Sequence, residues 1–429
     1  MQPNSSNPNW RRNVLAWCCY DWANSGYTTL MITVFAVYMQ RNVFSSETSG
    51  VTGAVVWAWS VAISMLIGAV LSPIAGAIAD THGQKRLGLA LSAFAGGTSC
   101  MLMALIPTTE AWLITSCFLI ANLSLELSLT FYNGFLPEIA DEAEMNRVSA
   151  TGLAWGYFGG GLGLLMAMLF LNYGAEMGFN DPSQLLRICI FATGVWWCLF
   201  TIPTVVVLKD RPRPKTAKSF RDSTRSAFGD VIGTLIDLRH HRTLAFFLIG
   251  FLFFNDGVQT VISQASTFAI HELKFADREL VAVVLMVQFI ATPGAVLIGW
   301  LSDKIGRKRA LIACLIVWIL LLSSAWFIQT KTAYWILSVG VALVLGGTQA
   351  VSRAIMGVLT PKHQEARYFG FFNLSGKATS FMGTFAFGSV IALTGSSRLA
   401  IVMLILFFVI GLAFVFKLRF SGDERGTVN

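Results

Sequence analysis

Charge is what this sequence has least of. Asp, Glu, Lys and Arg make up only 13% of its 429 residues, against 55% hydrophobic, where an ordinary soluble domain carries about 25% charged residues. So little polar side chain could not cover that much apolar surface in water. The shortage excludes a disordered chain and a nucleic-acid-binding domain, and it argues against a large soluble enzyme. Paired cysteines are missing too. The seven cysteines all fall inside apolar runs, and none forms a C-x-x-C pair, so each reads as a small buried apolar side chain. The five histidines lie in or beside predicted loops and do not cluster at ligand spacing. No disulfide framework, metal or cofactor is expected, and no ATP-binding motif is present.

Long apolar runs are what the sequence has in abundance. A helical span takes about 20 such residues. Reading the runs against turn and charge signals predicts twelve helices, at 13–39, 52–79, 87–106, 111–135, 150–172, 185–208, 244–270, 280–302, 310–330, 333–358, 370–394 and 398–419. The expected fold class is an all-α membrane protein of two six-helix halves, with the lipid bilayer as its first partner. The first run carries Asp21 and lacks a small-residue cleavage site, so it reads as a retained span. Most of the 31 Lys and Arg, and hence the net charge of +8, fall on one side: Arg11, Arg12, Lys85, Arg86, the cluster from Lys209 to Arg242, the four from Lys304 to Arg309, and Lys417 onward. The asymmetry predicts that both termini are cytoplasmic. The domain reading is an N-terminal half at 1–208, a cytoplasmic linker at 209–243, a C-terminal half at 244–419 and a tail at 420–429. Within the linker, 228–238 fits either a surface-lying amphipathic helix or a solvated tether.

The halves echo each other. Gly76-Ala-Ile-Ala-Asp80-Thr-His-Gly83-Gln-Lys85-Arg86 follows the second predicted span, and Gly299-Trp-Leu-Ser-Asp303-Lys-Ile-Gly306-Arg-Lys308-Arg309 follows the eighth. Both read G-x-x-x-D-x-x-G-x-K-R, displaced by 223 residues from Asp80 to Asp303. Two copies at equivalent positions point to duplicated halves. The first Gly admits a neighbouring helix, the second supplies turn geometry, the Asp suits a helix N-terminus, and the basic residues fix the side. Gly76, Asp80, Gly83, Arg86, Gly299, Asp303, Gly306 and Arg309 are the candidate gating residues.

This pattern resembles the signature loop of the major facilitator superfamily. Four further stretches resemble its vacuole-effluxer-like branch: Tyr20-Asp21-Trp22-Ala23-Asn24-Ser25, Asn133-Gly-Phe-Leu-Pro137-Glu138, Gly152-Leu-Ala-Trp-Gly156-Tyr157 and Gly370-Phe-Phe-Asn373-Leu-Ser-Gly376-Lys377. The resemblance implies a monomeric twelve-helix transporter in which spans one, four, seven and ten line a central pathway. Eukaryotic members of the branch are autophagy-related vacuolar amino-acid exporters. A bacterial cytoplasmic membrane is the expected location here, because the short N-terminal tail holds nothing that looks like vacuolar sorting information.

A charge in mid-span costs roughly 2.5–3.5 kcal/mol on insertion scales, which makes it a functional candidate. Five such groups are predicted: Asp21, Glu126, Asp256, Arg353 and Lys377. Polar stripes surround them at helical spacing: Asp21, Asn24, Ser25 and Thr28; Asn122, Glu126, Thr130 and Asn133; Asp256, Gln259, Thr260, Ser263 and Thr267; Gln349, Ser352 and Arg353; Asn373, Lys377, Ser380 and Thr384. Asp21, Glu126 and Asp256 are the proton-coupling candidates, since a partly desolvated carboxylate can exchange a proton near neutral pH. Asn24, Asn122, Asn133, Gln259, Gln349, Arg353, Asn373 and Lys377 are the substrate-binding candidates. Arg353 could instead pair with Asp303 or another loop acid as a lock. Glycines 152, 156, 159, 160 and 163 read as a helix-packing ladder, and the acidic run Glu138, Asp141, Glu142 and Glu144 as a solvated, partly capping segment.

The functional expectation is a secondary transporter that moves a small polar metabolite, amino acids among them, by alternating access coupled to protons. An exporter or flippase of amphipathic drugs or lipids stays open. A transporter-like receptor would need a larger soluble output domain, and a membrane-embedded enzyme would need a nucleophile–base pair or metal cluster, which the spans do not offer.

Overall fold

Backbone in lipid can satisfy its N–H and C=O groups only within a helix or a closed barrel, and this chain takes the first solution. A computed structural model describes residues 8–44, 53–210, 233, 241–377 and 380–419, all of them helix or short connection. Helices α1 to α6 run over Trp10–Leu30, Gly53–His82, Lys85–Leu105, Ala111–Gly134, Met145–Tyr173 and Pro182–Val207. Helices α7 to α14 run over Arg242–Leu273, Asp277–Ile305, Arg307–Ala325, Lys331–Leu359, Glu365–Lys377, Ser380–Thr394, Ser397–Met403 and Ile405–Phe416. The linker segment 228–238 lies outside the described residues apart from Gly233.

Among the described residues, ten helices are long and apolar enough to cross a membrane. The two predicted spans that fail this measure do so for different reasons. Helix α1 is too polar, because it is an inner helix: Trp17, Tyr20, Asp21, Ala23, Asn24 and Tyr27 are all buried against protein. It continues beyond Leu30 through two π-helical turns, Met31–Phe35 and Met39–Val43. The predicted run 370–394 is described only as α11 and α12, on either side of residues 378 and 379, which lie outside the described residues. Inside the spans, hydroxyls such as Thr115, Thr193, Thr201 and Thr360 donate to the carbonyl one turn back at 2.6–2.9 Å, so they cost little in an apolar setting.

The same four pairings recur in each repeat. Helix α3 packs on α4 and on α6, α1 on α6, and α2 on α4; correspondingly α9 packs on α10 and on α14, α7 on α14, and α8 on α10. The chain divides into two compact units. The first holds the described residues of Met1–Phe135, Trp155–Ala227 and His363–Gly370, and the second those of Leu136–Ala154, Phe228–Lys362 and Phe371–Asn429. Each unit therefore contains one short segment from the other repeat: the start of α11 belongs to the first, and the start of α5 to the second.

Aromatic side chains fill the centre of each unit. In the first, Trp17 stacks on Tyr132 at 4.6 Å between centroids, its indole N–H donates to the Tyr132 carbonyl at 3.0 Å, and Tyr27 lies 4.8 Å from Trp197. In the second, Phe251 stacks on Phe372 at 4.1 Å and Trp318 on Phe408 at 5.2 Å. The glycine ladder is packing surface: a Cβ on Gly156 would meet Ser25 Oγ at 2.7 Å, and one on Gly159 would meet the Trp22 ring at 2.9 Å. Its partner in the first unit is α1 of the same half.

Candidate functional site

The first signature loop closes on the start of α11. Gly83 takes φ 61°, the left-handed turn expected of it. Asp80 accepts backbone N–H bonds from Ala366 at 3.1 Å and Arg367 at 2.8 Å, and so caps the N-terminus of α11 in the manner expected of a carboxylate. Lys85 bridges Asp80 at 3.2 Å and Glu365 at 3.1 Å, and all three side chains are at least 95% buried. Glu365 also accepts from the His363 N–H at 3.0 Å. Burial alone would push the Glu365 carboxyl up, but the Lys85 ammonium and the local backbone N–H groups outweigh it and hold the carboxyl below its ordinary range. Gly76 makes room for this contact: a Cβ there would run into the Ala366 carbonyl.

The second loop closes on the start of α5 with other atoms. Gly306 takes φ 89°. Asp303 accepts from the Asn146 amide at 2.7 Å, and Arg307 donates to the Asn146 side-chain oxygen at 2.9 Å. Arg307 also pairs with Glu142 at 3.3 Å and bonds its backbone carbonyl. A Cβ on Gly299 would meet the Ala150 methyl at 2.5 Å. One turn further along α5, Arg353 of α10 donates to the Ser149 carbonyl at 2.7 Å and to its hydroxyl at 3.2 Å, while Ser149 donates to the Ala350 carbonyl at 2.8 Å. Arg353 therefore knits α10 to the start of α5.

Sequence reasoning singled out Arg86 and Arg309, whereas Lys85 and Arg307 carry the contacts. Arg86 is exposed and gives its backbone N–H to Asp210 at 2.9 Å, and Arg309 is exposed. Glu365, Glu142 and Asn146 were also missed as latch residues. A signal for the two acids was present: Glu142 and Glu365 are themselves 223 positions apart, the displacement of the motif.

The three mid-span carboxylates all avoid lipid: Asp21 is 4% exposed, Glu126 2% and Asp256 1%. In the first unit, Glu126 packs on Gly68, where a Cβ would meet its own Cβ at 2.8 Å. Asn122 donates to Ser64 Oγ at 2.6 Å, Asn24 donates to the Tyr20 carbonyl at 2.7 Å, and Asn133 is buried with its side-chain oxygen unbonded. Asp21 and Asn24 thus share α1, and Asn122, Glu126 and Asn133 share α4, all within one unit. In the second unit, Asp256 accepts the Gly383 N–H at 2.9 Å, and Asn255 donates to the Gly376 carbonyl at 3.1 Å. These two adjacent side chains of α7 hold Gly376 of α11 and Gly383 of α12. Gln259, Gln349 and Asn373 are partly buried in the same unit. Lys377 is the last described residue of α11, and its side chain lies outside the described residues. Among the described residues, no group of three or more His, Cys, Asp or Glu could hold a metal ion.

Comparison with known proteins bears on this arrangement. The family model described as vacuole effluxer Atg22 like matches residues 50–426. The uncharacterized MFS-type transporter YxiO of Bacillus subtilis (strain 168) is 32% identical over 415 residues, covering 96% of this chain and 95% of its own. Autophagy-related protein 22 of Kluyveromyces lactis is 29% identical over 307 residues, which span 66% of this chain and 61% of that one. Among solved structures, the E. coli fucose:proton symporter FucP superposes with a TM-score of 0.72 at 14% identity, covering 96% of this chain and 98% of its own; at that identity the likeness speaks for the fold alone. With duplicated helical repeats, paired signature loops and a family match along most of its length, the chain belongs to the vacuole-effluxer, Atg22-like family of the major facilitator superfamily.

Proposed function

We propose that this protein is a secondary active transporter that moves a small polar metabolite by alternating access, driven by a proton gradient. The observation that carries the reading is the pair of latches. Each signature loop grips a helix start from the opposite repeat, and the two acids involved, Glu365 and Glu142, are related by the repeat itself. Contacts of this kind are discrete and can be made or broken as units, as a rocking-bundle cycle requires. In this reading the loops face the cytoplasm, and release of both accompanies opening on that side.

Substrate and proton are handled by the buried polar groups of the spans. Glu126, with Asn122 and Asn133 on the same helix, is the foremost proton carrier in the first unit, because it is a buried carboxylate in mid-span, where an ionisable side chain is costly and marks a functional position. Amino acids are the substrate class to examine first, since the branch this chain resembles includes amino-acid exporters. The test is uptake and efflux in reconstituted vesicles with an imposed pH difference. Glu126→Gln should lose gradient-driven accumulation while the protein remains folded in the membrane. Unchanged proton-driven flux in that variant would refute the coupling role.

A further inference from the structure

Asp256 and Thr260 lie one helical turn apart on α7 and face the start of α12. Gly383 of α12 is held against both. Its N–H donates to Asp256 Oδ2 at 2.9 Å, and a Cβ at that position would lie 3.2 Å from Asp256 Oδ1 and run into Thr260 Oγ1. Two oxygens here have no hydrogen-bond partner, Asp256 Oδ1 and Thr260 Oγ1, and their residues are 1% and 0% exposed. This is unusual for both groups. A buried carboxylate ordinarily fills its lone pairs, and buried threonines elsewhere in these spans donate to the carbonyl one turn back. An unsatisfied carboxylate oxygen beside an unsatisfied hydroxyl is a pair of hard acceptors waiting for a positive charge.

We infer that Asp256 Oδ1 and Thr260 Oγ1 form part of a binding site for a small alkali cation of the sodium class, at the junction of α7 with α12. The charge count favours a monovalent ion: one carboxylate is neutralised by a single positive charge, whereas a divalent ion would leave an excess charge in the membrane interior. The close approach allowed by Gly383 favours a small ion over potassium. A proton alone would need only the carboxylate and would make no use of Thr260.

The site does not depend on what the protein carries, so it is tested without transport. The purified full-length chain in choline buffer is titrated with Na+, Li+ and K+, and both radioactive sodium binding and thermal unfolding are read. The expectation is saturable sodium binding with an upward shift in Tm, similar for Li+ and weaker for K+. Thr260→Val keeps the shape and the Gly383 bond but removes the hydroxyl oxygen; it should weaken sodium binding about tenfold or more. Asp256→Asn keeps an oxygen for the Gly383 N–H and should abolish binding. Absence of saturable sodium binding in the unmodified protein, as when a proton neutralises Asp256, overturns the inference. So does sodium binding in Thr260→Val equal to that of the unmodified chain. A failure of proton-driven flux would leave these results untouched.

Discussion

The two signature loops share a motif, a repeat displacement and an acidic partner, yet they are wired through different bases. In the first, Lys85 lies between Asp80 and Glu365 with all three side chains buried. In the second, the base is Arg307, one position earlier in the motif where the first loop has Gln84, and its partner Glu142 is 74% exposed. Lys308, the motif equivalent of Lys85, turns instead to the Leu418 carbonyl at 2.8 Å. The difference teaches that the motif specifies where a latch forms but not how strong it is. A buried ion cluster is costly to break from one side, whereas an exposed pair is screened by water.

Removing the buried base should have the largest effect. Lys85→Met leaves Asp80 and Glu365 without their cation and should cost about 3–5 kcal/mol, read as a large fall in Tm or in folded yield. Arg307→Met should cost clearly less, and equal losses would erase the contrast between the loops.

The glycines offer a sharper version of the comparison. Gly76 faces backbone at Ala366, whereas Gly299 faces a methyl at Ala150. Gly299→Ala should therefore be relieved by Ala150→Gly in the double variant, while Gly76→Ala should not be relieved by Ala366→Gly. Thermal unfolding of the four variants and the two doubles decides this. A double-mutant cycle between Lys85 and Glu365 should show strong non-additivity, and one between Arg307 and Glu142 little.

Acid should also separate the loops. The folded-state value of Glu365 lies below the ordinary one, so its contribution is present above the unfolded value, about 4.3, and is lost as pH falls through the lower folded value. The Lys85–Glu365 contribution should persist down to about pH 4 and decline below it, and Glu365→Gln should flatten that part of the Tm–pH curve. The smallest effect is expected from Glu142→Gln, within about 0.5 kcal/mol, because water already surrounds that carboxylate.

Much of the fold was legible in the sequence for a simple reason: lipid forces helix on any long apolar run, and duplication leaves a repeated motif. The first helix was recognisable in spite of its polarity because its polar residues keep helical spacing; on α1, Asp21 and Asn24 are buried, Ser25 is half-buried and Thr28 is exposed. The candidate site was legible as residue types and not as partners. Asp256 was expected as a buried acid, but its neighbour Asn255 lay outside the polar stripe, and its grip on Gly376 depends on a helix more than a hundred residues away. Arg353, a candidate for a substrate carboxylate or for a loop acid such as Asp303, bonds Ser149, a contact 204 positions distant.

The sequence by itself determined the class of molecule, most of its helical spans, the duplication and the placing of carboxylates away from lipid, because these follow from local composition and from the cost of polar groups in an apolar medium. Only the tertiary structure decided which base closes each loop, which helix start each Asp caps, and that Asp256 and Thr260 share a face with Gly383. Those outcomes depend on distances between segments far apart in the chain, and side-chain spacing along one helix carries no information about what another helix brings against it.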